Sequence, residues 1–186
     1  SQGVGNILND SLTDAQVAEI LMEDESGQAV IFDKLETYLD GGNLISSVND
    51  IATLEFDFDP AGDFVSFNYV FASEEYFAYE YSTYNDIFAF FLSGAGINGP
   101  YNPLADFPDG AVNIAQVPGW SPQLPVTISS VNADINAEYF VDFQGSDDVC
   151  FDGGTVVLTA VYPVVCGETY HIKLAVADGT DTSLPT

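Results

Sequence analysis

The apolar and polar positions of this chain alternate over long stretches, and that alternation predicts most of its elements. From Thr53, Leu54, Phe56 and Phe58 alternate with Glu55, Asp57 and Asp59, which predicts a strand with its aromatic side chains inward and its carboxylates outward. Pro60, Ala61 and Gly62 then turn the chain. Val65, Phe67, Tyr69 and Phe71 next share one face against Phe64, Ser66, Asn68 and Val70, a second period of two. Ile87–Leu92 is apolar on both faces and is closed by Ser93 and Gly94, so it reads as a strand in the middle of a sandwich. Further strands are predicted at Ala111–Val117, Pro125–Val131, Glu138–Phe143, Thr155–Val161 and Tyr170–Ala177, with a long Gly- and Pro-rich loop from Ala95 to Gly110. Short strands at this spacing predict a mainly β fold, a β-sandwich or jelly roll.

The N-terminal part reads differently. Thr13 can cap a helix with Gln16 three residues on, Leu12 and Val17 stand at hydrophobic-staple positions, and Val17, Ile20 and Leu21 form one stripe, so a short helix is expected to about Met22. Ala29–Leu39 fits either a strand or a second helix. The expected organisation is one domain: residues 1–49 as a lead-in with a short helix packed on residues 50–186, which form the sandwich. A chain of 186 residues with 47 % hydrophobic content can bury one substantial core.

Charge narrows the function classes. The chain has 29 Asp and Glu against 2 Lys and Arg, a formal net charge of −27. It contains no arginine, and its lysines are Lys34 and Lys173. Nucleic acid and anionic membranes need a basic patch that this composition does not supply. No apolar run is long enough to span a bilayer as a helix, so direct membrane insertion is not expected, and any secretion signal is expected to have been removed already. Self-repulsion on this scale favours divalent counter-ions.

Carboxylates and amides cluster between the two central strands, where Glu74, Glu75, Glu80, Asn85 and Asp86 fall within the segment 74–86. A calcium ion takes six to eight oxygens at about 2.3–2.6 Å, and Glu74, Glu75, Asn85 and Asp86, joined by Asp178, are the candidate ligands. Asp57, Asp59 and Asp63 form a weaker second set. The alternative is an acidic surface held apart by solvent. Cys150 and Cys166 flank a predicted strand and read as a disulfide, which would stabilise the fold by about 3 kcal/mol, or else as two free thiols. With one histidine, their spacing fits no zinc pattern. His171 shares a strand face with Lys173 and is expected at the surface. A glycosidase would pair Glu74 or Glu75 with Asp86; a catalytic His171 has no serine or cysteine in a nucleophile-elbow context to pair with. Trp120, in a Pro-Gly-Trp turn, is a candidate sugar-stacking platform or the cover of a core edge. Asn9 begins an Asn-Asp-Ser acceptor pattern for N-glycosylation, and Ser11 is an O-glycosylation candidate.

The blocks VFASEEY, YNDIFAFFLSG, NIAQVPGWSPQLPVTISSVN, FDGGTVVLTA and CGETYHIKLAVAD occur in the order of the choice-of-anchor L domain, which the chain resembles from about Asp50 to Asp178. The N-terminal part departs from the pattern. The resemblance implies a secreted protein of the bacterial surface and no general enzymatic activity. In the family the HIKLAVAD block is followed by an acidic turn and one more strand, whereas here the chain reads DGTDTSLPT. That difference implies either a final strand outside this sequence, or an open edge that another copy fills by strand exchange, building a homo-oligomer or filament. The leading expectation is thus a calcium-stabilised structural or adhesive surface domain. A calcium-dependent glycan-binding module and, behind it, a polysaccharide-acting enzyme are the alternatives.

Overall fold

The computed structural model describes residues 48–80, 82, 84, 87–99, 101, 110–120 and 123–179. The expected helix at 12–22, the segment 29–39, and Asn9, Ser11, Asn85 and Asp86 lie outside the described residues. Within them the chain is mainly β. Its strands are β1 (Val48–Phe58), β2 (Phe64–Tyr69), β3 (Ala72–Ser73), β4 (Ile87–Gly94), β5 (Val112–Asn113), β6 (Phe140–Asp142), β7 (Gly153–Thr155), β8 (Leu158–Pro163) and β9 (Tyr170–Gly179). They form three antiparallel sheets of order β1-β9-β4-β5, β2-β8 and β3-β7-β6.

The doubly apolar run became β4, an interior strand between β9 and β5, where both faces are buried and neither needs polar residues. β9 is also interior. β1 pairs with one of its edges and β4 with the other.

The inner faces meet through aromatic rings. Phe67 lies 5.1 Å from Phe90, Tyr69 lies 5.0 Å from Phe90 and 5.6 Å from Phe88, and Phe71 stacks on Phe88 at 4.9 Å. Such ring pairs add about 0.5–1.5 kcal/mol each beyond their buried area. All of them land on β4, while on β1 Phe58 packs against the core and Leu54 and Phe56 are left uncovered. Leu54 and Phe56, expected inside, do share the face of Leu174 and Ile172, yet Leu54 is 63 % exposed and Phe56 41 %. Alternation identified the correct face but could not show where the covering layer stops.

β2 and β3 run on as one antiparallel pairing with β8 and β7. Tyr69 pairs with Leu158 and Ala72 with Gly154, a slip of one residue bridged by the Thr155 N–H donating to the Phe71 carbonyl at 2.8 Å and the Phe71 N–H donating to Thr155 Oγ1 at 3.1 Å. The stretch from Gly153 to Pro163 is therefore near-extended. At about 3.3 Å per residue its ends lie roughly 30 Å apart, and Cys150 and Cys166 lie three residues beyond them. This overturns the expected disulfide: Cys150 and Cys166 are both free and exposed, and two cysteines so placed cannot be bridged.

The expected strand at 125–131 is a buried irregular segment instead. Leu124, Val126, Ile128 and Val131 all enter the core. Side chains replace the missing ladder: Ser130 Oγ accepts from the Thr127 N–H, Asn132 Oδ1 accepts from the Asp134 and Ile135 N–H groups, and Asn132 Nδ2 donates to the Ile128 carbonyl. Local bonds of this kind let polar residues compete with sheet formation.

Candidate functional site

The polar face of β1 and β9 is built by register. Glu55 lies opposite Lys173 and Asp57 opposite His171, so two acids meet two basic groups on one side of the sheet. Lys173 Nζ is 3.2 Å from Glu55 Oε2, His171 Nε2 is 3.3 Å from the same oxygen, and His171 Nδ1 is 2.8 Å from Asp57 Oδ1. Lys173 is fully buried and the Glu55 side chain is 4 % exposed. The row continues through Phe91 to Asn113, and Phe91, itself fully buried, packs edge-on against Tyr101. Asn113 Oδ1 accepts from the Phe90 and Ala115 N–H groups. The His171 side chain, expected at the surface, is 20 % exposed and lies between two carboxylates. Sequence reasoning did not place Glu55 or Lys173 in any site. Their one signal was that the polar positions of LEFDFD and YHIKLAVAD carry opposite charges.

The acidic cluster between β3 and β4 is only partly described. Glu74 and Glu75 follow β3, and the Glu75 N–H donates to Ser73 Oγ. Asp178 stands on β9 opposite Asn49. Glu80 lies deeper. It is buried, its Oε1 has no hydrogen-bond partner, and its carbonyl accepts from Ser129 Oγ. Burial pushes its carboxyl above the ordinary value of 4.5, the Phe77 amide counters this, and Asp134 adds to the rise. Tyr76 is fully buried between Phe71 and Phe140. Burial first, and Glu80 second, hold its hydroxyl above the ordinary tyrosine value.

Among the described residues no group of three or more His, Cys, Asp or Glu is arranged to hold a metal ion. Asp57, Asp59 and Asp63 are not brought together as such a group. Asp57 faces His171, Asp59 Oδ1 accepts from Thr169 Oγ1 at 2.7 Å, and the Asp63 carbonyl accepts from the Val164 N–H.

Trp120 packs against the core, and its indole N–H donates to Asn136 Oδ1 at 2.9 Å. Beside the uncovered part of β1 lies an apolar groove of about 530 Å³, lined by Leu54, Val70, Phe71, Phe88, Leu174 and Val176 among others. No described helix is long and apolar enough to cross a membrane.

The family model of the choice-of-anchor L domain matches residues 6–186, and the chain belongs to that family. The match includes the N-terminal part that the sequence blocks left out, and it associates the chain with secreted or cell-surface proteins of bacteria. No curated protein and no solved structure matches the chain significantly.

Proposed function

We propose that this choice-of-anchor L domain is a β-sandwich module of a bacterial surface protein, serving structure or adhesion without enzymatic turnover. The observation that carries the reading is the layered core, in which the rings of β2 pack on β4, in a chain whose family match spans residues 6–186. A net charge of −27 keeps such a module soluble outside the cell.

Calcium belongs to the same reading. We place it at the cluster of Glu74, Glu75, Asn85, Asp86 and Asp178, supported by the buried Glu80 beside that loop, whose Oε1 lacks a partner. A hard cation supplies what such an oxygen lacks. Self-association also fits, with β1 as the edge of its sheet among the described residues and Leu54 and Phe56 exposed along it. The glycan-binding reading is not carried further, because Trp120 is packed into the core and its N–H is used by Asn136.

The test is to label intact cells of the source bacterium with antibody to this chain. Surface or culture-medium signal is expected, and confinement to the cytoplasm overturns the assignment. Melting with calcium and with chelator tests the cation: a higher Tm with calcium is expected, and coincident curves refute that part.

A further inference from the structure

We propose that Lys173 and Glu55 are joined by an intramolecular amide bond that β1 and β9 form between themselves, with His171 moving the proton. The starting point is an expensive arrangement. Lys173 is fully buried, and its Nζ makes no hydrogen bond of acceptable geometry; its partner is the buried Glu55 carboxylate at 3.2 Å. Burying two charges costs several kcal/mol per ion, which attraction offsets only when the remaining donors and lone pairs are also satisfied. Here they are not. An amide would replace an ammonium and a carboxylate by one N–H and one carbonyl, and the desolvation cost of the charges would vanish.

The surroundings supply what condensation needs. Glu55 and Lys173 are directly opposite in an antiparallel pairing, so the sheet itself holds nucleophile and carboxyl in contact, and proximity of this kind replaces a bimolecular encounter. Phe91, Ala89 and Ala175, all buried, lie on the neighbouring positions of the same face and keep bulk water from reversing the reaction. His171 Nε2 reaches Glu55 Oε2, the same oxygen that faces the lysine. The Asp57 carboxylate can only accept, so His171 Nδ1 carries the proton of the 2.8 Å contact, and Nε2 becomes the acceptor once Glu55 Oε2 carries a proton to donate.

The step balances without any further reactant. Proton transfer from the Lys173 ammonium to Glu55 Oε2 leaves a neutral amine beside a carboxylic acid whose O–H is on the oxygen that will depart. Nζ attacks Cδ of Glu55, forming the C–N bond and a tetrahedral centre. His171 takes a proton from the new Nζ centre at Nε2 and returns it to the departing Oε2, the C–Oε2 bond breaks, and one water leaves. Nothing is oxidised or reduced, and His171 ends as it began. Asp57 is a positioning residue that fixes the ring. The product ties β1 covalently to β9, so force applied to the chain on either side of Glu55 and Lys173 would bypass everything between them.

The experiment is high-resolution intact mass of the purified 186-residue chain, followed by proteolysis and peptide sequencing. The expected result is a mass lower by one water, and one branched peptide linking the segments of Glu55 and Lys173. Glu55→Gln is expected to give the same product with loss of ammonia instead of water, and Lys173→Met to show the full sequence mass. His171→Gln and Asp57→Ala lower the linked fraction while the circular dichroism spectrum stays native, and Asp57→Glu restores it, which a merely structural role would not produce. A folded wild-type chain at its full sequence mass overturns the proposal, whether or not the variants fold. So does a water loss that maps to other residues.

Discussion

Replacing Tyr170 by Phe removes one oxygen and, with it, two hydrogen bonds at the entrance to β9. Tyr170 is buried, its hydroxyl donates to the Ala95 carbonyl at 2.7 Å, and it accepts from the Val165 N–H at 2.9 Å. These bonds tie the turn after β4 to the turn after β8, so one side chain fixes two connections. The ring itself is held by stacking on Phe58 at 6.0 Å and by Gly94, where an added Cβ would lie 2.5 Å from the ring. Phe should therefore occupy the same place, leaving the loss confined to the hydroxyl. Each bond contributes about 0.5–1.5 kcal/mol net, and a partly buried group left without a partner adds to the loss, so the total comes to about 2–3 kcal/mol. For a domain of this size 1 kcal/mol moves Tm by about 2–4 °C, which gives a fall of roughly 4–12 °C. Urea unfolding read by fluorescence, extrapolated linearly at unchanged slope, measures it. Tyr84→Phe, on an exposed tyrosine, is the control and should stay within about 0.5 kcal/mol of wild type. A Tyr170→Phe protein as stable as that control would refute the argument, since both would then have lost an oxygen of equal worth.

Gly153→Ala would place a Cβ 2.7 Å from the Phe140 ring and 2.8 Å from Tyr76, and should cost about 1–3 kcal/mol, whereas Gly62→Ala, with nothing within 4 Å, should be neutral or slightly stabilising; equal melting curves for the two would contradict this. Because burial raises the Glu80 carboxyl above its ordinary value, the folded state holds that proton more tightly than the unfolded state. Stability therefore falls as pH rises from the unfolded value through the raised folded one. In chelator, Glu80→Gln should remove that slope and be the more stable protein above the window, and parallel stability–pH curves would count against it. Cys150 and Cys166 should both alkylate in the native protein without reductant, as exposed free thiols do; two thiols that react only after reduction would restore the disulfide.

Some of this protein was determined by the sequence alone. β2, β4 and β9 follow from a period of two or from an unbroken apolar run, because a strand's burial is written into its own side chains. The family is likewise legible in contiguous blocks, and the acidity follows from counting. What tertiary structure decided was everything that depends on a partner distant in sequence. The exposure of Leu54 depends on where the rings of β2 land, on β4 and not on β1. The separation of the cysteines depends on β7 and β8 running on as one extended pairing with β3 and β2. The 125–131 segment had the composition of a strand, but its serines, threonine and asparagine satisfied the backbone locally and left no need for a ladder. Most of all, Lys173 looked like a solvated strand residue until the register set Glu55 opposite it and Phe91 on its other side. Register is a property of two chain segments, and neither segment carries it alone.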